Sequence, residues 1–153
     1  MAELKWEKYI VKARPPVPMA ETRAERPRMG FDERVERPQL HMLMALNNRM
    51  VNGNAIIICQ WVWAGEEPGT QGPHTHPYDE VIGFAGTNPN DPNDLGGIAE
   101  LWMEDEQYII DKSFMVYVPK NVKHCPLTIR DIKYNILHLD IQLTAGDFRE
   151  DYA

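Results

Sequence analysis

Beyond residue 39 the chain is a succession of short apolar runs separated by turn-forming clusters. The runs are LHMLMAL (40–46), AIIICQWVW (55–63), EVIGF (80–84), IAELWM (98–103), YII (108–110), FMVYV (114–118) and YNILHLDIQL (134–143). Between them lie NNRMVNGN, GEEPGTQG, NPNDPNDLGG and EDEQ, rich in the Gly, Pro, Asn and Asp that reverse a chain. Runs this short, enriched in β-branched and aromatic residues, predict strands. The pattern predicts at least seven of them, in an all-β sandwich or barrel. No helix-period window of ten or more residues interrupts it. Several runs are apolar on both faces: 55–63 places Ile57, Cys59 and Trp61 on one side and Ile56, Ile58 and Val62 on the other. Such a strand needs cover on both sides, from the barrel interior and from an arm or partner subunit.

Residues 1–39 have a different texture. Pro15, Pro16, Pro18, Pro27 and Pro38 alternate with six arginines, and proline fixes φ and removes backbone donors. We expect an extended or looped arm rather than a helix, followed by a barrel domain over 40–153. Trp6, Tyr9, Ile10 and Val11 would be left in water by a free arm, so it is expected to wrap the body or a neighbour and make a homodimer.

Charge changes the choice of partner. The net charge is −7 over 153 residues, but the arm carries 9 Lys and Arg against 7 acids and the remainder 7 against 16. An acidic body repels a phosphate backbone, so nucleic acid is not expected as a partner. No apolar stretch approaches the length needed to cross a bilayer and the N-terminus lacks an apolar signal-like core, so no membrane partner and a cytoplasmic location are expected. Two cysteines, Cys59 and Cys125, are too few for a disulfide framework or a thiolate zinc site.

The candidate chemistry lies in GPHTHPYDEVIGFAG (72–86). On extended backbone His74 and His76 project to the same side, whereas on a helix they would diverge by about 200°. Pro73 and Pro77 exclude a helix in any case. Glu80 keeps the same parity. Two imidazoles and a carboxylate suit Fe(II), Mn(II) or Ni(II) with open coordination positions. His124, in VPKNVKHCPLTI, starts another strand and offers a fourth ligand.

These two segments resemble the two motifs of the cupin superfamily. GTQGPHTHPYDEVIGFAG is similar to the first, with His74, His76, Glu80 and Gly86 at the motif positions; its leading glycine is displaced by one residue and its final gap is one short. PKNVKH is similar to the second through Pro119 and His124. Asn121 stands where that motif has glycine, and Asn is among the residues that best tolerate a left-handed backbone. Thr128 stands where the family often has Asn. The resemblance covers about residues 55–143. It implies an antiparallel double-stranded β-helix, or jelly roll, holding one divalent ion per chain (Fe, Mn, Ni or Zn) on His74, His76, Glu80 and His124.

Four ligands on an octahedral ion leave two positions for a small-molecule substrate, water or O₂. The resemblance implies a metal-dependent enzyme acting on a small oxygenated or aromatic metabolite, dioxygenase-like chemistry being slightly favoured over non-redox lyase or isomerase chemistry. A non-catalytic barrel that binds or senses a small ligand is the alternative. Tyr78, Phe84, Trp102, Tyr117 and Gln60 are candidates to line the substrate. His41 and His138 are expected as hydrogen-bonded core residues. Cys125 faces away from His124 on an ideal strand and is expected to pack. The 86–97 stretch is expected as a solvated hairpin loop, since its Asn and Asp spacing does not follow a calcium-binding EF-hand.

Overall fold

A computed structural model of the chain describes residues 40–46, 55–64, 72–144 and 151–152. The predicted arm over 1–39, and the dimer contact assigned to it, lie outside the described residues. Among the described residues there are ten strands: β1 (Leu40–Leu46), β2 (Ile56–Val62), β3 (His74–Thr75), β4 (Glu80–Gly86), β5 (Asp94–Met103), β6 (Glu106–Lys112), β7 (Phe114–Val118), β8 (His124–Arg130), β9 (Ile136–Gln142) and β10 (Asp151–Tyr152). Every apolar run of the sequence falls on a strand. The hairpin loop is shorter than the predicted 86–97, because β5 already begins at Asp94. No helix among the described residues is long and apolar enough to cross a membrane.

All pairings are antiparallel, in two five-stranded sheets ordered β1-β2-β9-β4-β7 and β10-β3-β8-β5-β6. The inner faces share one apolar core. Val62, Ile82, Phe84, Val118 and Ile136 from the first sheet meet Leu95, Ala99 and Ile129 from the second. Strand register sets which residues face inward, since directly opposed residues share a face. Ile82 opposes Val116 and Asp140, and Phe84 opposes Phe114 and His138, so this row points into the barrel. The outer row runs through Ile57, Cys59 and Trp61 of β2 and Leu137, Leu139 and Ile141 of β9, all half-buried. β2, with Ile56 and Val62 buried on its inner face, is therefore apolar on both sides.

At one rim the chain passes from the second sheet to the first through a single residue, Ser113, between β6 and β7. Its N–H donates to Asn93 O (2.8 Å), and its Oγ accepts from Gly86 N–H (3.0 Å). The 87–93 turn is held by its own side chains: Asn88 Oδ1 accepts from Asn90 N–H and Asp91 Oδ1 from Asn93 N–H. Gly86, the last residue of β4, lies so close to the Asp94 carbonyl oxygen and Leu95 backbone that a Cβ would overlap them. A backbone obstacle cannot swing aside as a side chain can.

Gly86→Ala should therefore lower unfolding free energy by about 3 kcal/mol in a urea titration. Gly83→Ala is the contrast. Its Cβ would meet the flexible, exposed Met115 side chain, Cγ at 3.3 Å, and Leu139 Cβ at an ordinary 3.8 Å, and it should change stability by less than about 1 kcal/mol. Equal effects would mean that the close approach at Gly86 does not exist in solution.

Candidate metal centre

The second motif is a turn, and its geometry explains its residue types. Asn121 has φ +64°, the left-handed conformation that glycine or asparagine accepts most readily. Its N–H donates to His76 O (2.7 Å), and Lys120 N–H donates to Asp79 Oδ1 (2.9 Å). Asp79 also takes a hydrogen bond from Tyr117, and its backbone carbonyl accepts from Leu143 N–H (2.9 Å). The two motif segments, more than forty residues apart in sequence, are thus bonded to each other beside the site. β3 completes the junction by pairing His74 opposite His124 on β8.

His74, His76, Glu80 and His124 are all buried, between 1% and 3% exposed. His124 Nε2 lies 2.8 Å and His76 Nε2 3.5 Å from Glu80 Oε2. Two ligands at right angles, each about 2.1 Å from an ion, are about 3.0 Å apart, so these spacings match one edge each of a coordination shell. His124 Nδ1 lies 3.0 Å from Val122 O, and His74 Nδ1 lies 2.8 Å from Gly72 O. A carbonyl can only accept, so Nδ1 carries the proton and Nε2 presents its lone pair, as metal-ligating histidines require. Burial pushes the Glu80 carboxyl up, but the neighbouring His124 and His76 outweigh it and hold the carboxyl well below the usual range.

Ligand atoms of His76, Glu80 and His124 lie within 4.8 Å of one another and form a group that can hold a metal ion. His74 does not close into that group. Its ring centroid is 4.4 Å from that of His124 and 4.9 Å from that of His76, yet its ligand atom falls in a second group with His124 and Cys125. This corrects the expectation for Cys125. A φ of +69° breaks strand alternation there and turns the side chain toward the two imidazoles instead of away from them.

The five candidate lining residues divide. Tyr78 stacks on His76 (centroids 5.1 Å, planes 12° apart) and donates to Gln142 Oε1 (3.2 Å). Phe84 is buried, between Phe114 and the ring of His138, with centroids at 5.4 and 4.3 Å. Gln60 faces inward opposite His138, its Nε2 2.6 Å from His138 Nδ1. Tyr117 instead projects from the outer face, 55% exposed, and Trp102 alternates with the inward Leu101 and lines an outer cavity. Strand parity relative to buried neighbours places both outside.

Three polar residues on β9 were not singled out as site candidates from sequence. His138, Asp140 and Gln142 all face inward, and Gln142 donates to Glu80 Oε1 (3.4 Å). An amide nitrogen can only donate, so His138 Nδ1 accepts from Gln60 and the ring proton sits on Nε2. Burial pushes the His138 pKa down to about 4, against the pull of the Glu80 charge, so the ring is neutral at pH 7. The available signal was the alternation in ILHLDIQL, whose polar residues share one parity.

No protein-family profile matches the chain, and no curated protein matches its sequence. Solved structures do match in fold. The polyketide cyclase RemF from Streptomyces resistomycificus superposes with a TM-score of 0.50 at 9% identity, over 76% of this chain and 72% of that one. A cupin superfamily protein from Desulfitobacterium hafniense gives 0.48 at 17% identity, over 88% and 98%. The DMSP lyase DddQ from Ruegeria pomeroyi gives 0.42 at 17%, over 65% of this chain and 43% of that one, so the chain spans less than half that lyase's length. At these identities the likeness is one of fold. With two antiparallel five-stranded sheets closed around one core, and with both motif segments bonded together inside it, the chain has an antiparallel jelly-roll barrel fold, shared with the cyclase.

Proposed function

We propose that the protein is a divalent-metal-dependent enzyme acting on a small oxygenated metabolite inside the barrel. The observation that carries this is the set of His76, Glu80 and His124, already at coordination spacing and buried beside a polar interior wall. A bound divalent ion would supply Lewis acidity toward a substrate oxygen or, as iron, a site for O₂. His74 is 1% exposed at the rim of this set and is proposed as the fourth ligand for an octahedral ion.

The chain's own residues prepare the site in three ways. Gln142 donates to Glu80 and fixes the carboxylate, while Tyr78 holds Gln142 and stacks against His76. Phe84 and the apolar residues around it exclude water, which strengthens every electrostatic contact in the cavity. His138, neutral and oriented by Gln60, holds its proton at Nε2 and offers a hydrogen bond to a substrate oxygen. This wall favours polarisation of a carbonyl or enol and a non-redox lyase or isomerase reaction. The two-histidine, one-carboxylate donor set itself favours dioxygenase-like chemistry with iron. Consumption of O₂ by the iron-loaded protein in the presence of substrate separates the two.

Purified protein should bind about one nickel ion per chain by calorimetry. Glu80→Ala and His76→Ala should each lose more than the about 100-fold in affinity that follows loss of a group bonded to a ligand. Small bidentate oxygen ligands such as catechol or a 2-oxo acid should bind the nickel-loaded protein and not the apoprotein. Equal binding to the apoprotein would remove the metal from the function.

The His138 prediction has a definite sign. Its folded pKa of about 4 lies below the ordinary 6.5, so the unfolded chain binds the extra proton. Its neutral burial costs nothing above pH 6.5, and stability falls as the pH drops from 6.5 toward 4. His138→Gln should flatten that limb by about one proton in the slope of stability against pH. An unchanged slope would place His138 in water.

A further inference from the structure

Cys125 stands where strand alternation should have hidden it from the site. The left-handed backbone at this residue brings Sγ within 4.8 Å of ligand atoms of both His74 and His124, and all three residues are buried. A non-glycine residue in this conformation costs of order 1–3 kcal/mol, so the neighbouring structure must enforce it. The enforcing contacts are at hand. His124 pairs with His74 across β3 and β8, and its ring is held by Val122 O.

The geometry points to a second metal position, on His74, His124 and Cys125, selective for soft or borderline ions of the zinc class. Two imidazoles and a thiolate are donors that such ions prefer, whereas the carboxylate of Glu80 suits harder ones. A neutral imidazole ligates through one nitrogen, and His124, with His74 as the fourth ligand proposed for the first position, belongs to both donor sets, so the two positions compete for them. One ion binds at a time, and its softness decides where it rests: against Glu80 and His76, or against Cys125. Binding at the second position displaces the thiol proton to solvent. A cavity of about 250 Å³, lined by Cys125 with Pro73, Trp102, Glu104, Asp105, Lys123 and Pro126, leaves room beside that residue for a further, exogenous ligand. Trp102, which faces away from the barrel interior, belongs to this side of the centre.

The test uses the full chain carrying Cys59→Ser, so that Cys125 is its one thiol. Cadmium added to the apoprotein should raise a thiolate-to-metal charge-transfer band in the ultraviolet that saturates at one equivalent. Glu80→Gln should keep the band, and Cys125→Ser should abolish it and weaken cadmium binding at least about tenfold. Nickel should show the reverse dependence, sensitive to Glu80→Gln and indifferent to Cys125→Ser. Alkylation of Cys125 needs no substitution at the site: cadmium should protect the thiol and nickel should not. Cadmium bound without the band, or without protection, overturns the second position while leaving the nickel site and the proposed enzyme intact. If neither ion binds, both fall.

Discussion

Desolvation of four ionisable groups is the constraint around which the barrel is organised. A carboxylate and three imidazoles taken out of water cost several kcal/mol unless each finds a partner. Glu80 Oε1 accepts from Gln142, its Oε2 faces His124 and His76, and two of the imidazoles are bound through Nδ1 to carbonyls of the residues two positions before them. Those carbonyls belong to Gly72 and Val122, which lie within the two motif segments. The backbone that delivers each histidine therefore also fixes its tautomer. The atoms this leaves without a hydrogen-bond partner, His124 Nε2 and Glu80 Oε2, face each other in a cavity that also contains Phe84, Val118 and Ile129, as the donor atoms of an ion would.

Much of this was legible along the chain. The period of two, the short run lengths and the turn clusters located the strands, because strand formation here follows local pattern. His-x-His between prolines announced convergent ligands for the same reason: alternation is a property of neighbours. What stayed hidden depended on departures from alternation or on burial across strands. Cys125 follows His124 directly, and only a left-handed φ brings both to one site. Trp102 and Tyr117 are aromatic residues on strands of the barrel, but their sides are decided by Leu101 and Val118, which are buried at 2% and 1%. Asn121 was the opposite case, a substitution whose identity already implied the backbone it adopts.

β9 shows why binary pattern can mislead within a ligand-binding barrel. In ILHLDIQL the ordinary assignment puts the leucines inside and the polar residues in water. Here His138, Asp140 and Gln142 point inward, while Leu137, Leu139 and Ile141 form the outer face with Ile57, Cys59 and Trp61. An interior that must hold a polar molecule inverts the usual alternation, and the apolar parity is displaced outward. Gln60 on β2 obeys the same inversion.

The strand order β1-β2-β9-β4-β7 places β9 between β2 and β4. β2 is made about eighty residues earlier than its partner, and β4 about fifty. A chain emerging from the ribosome therefore carries its first motif for the whole synthesis of 80–135 with the neighbouring edge of β4 unpaired. Long-range closure of this kind is slow relative to local hairpins such as β5–β6. The hairpins can form early, but Glu80 meets Gln142 only when β9 is inserted as the keystone of its sheet. Ligand geometry and completion of the fold are consequently one event in the life of the chain, and an ion that arrived before it would find loose histidines rather than a centre.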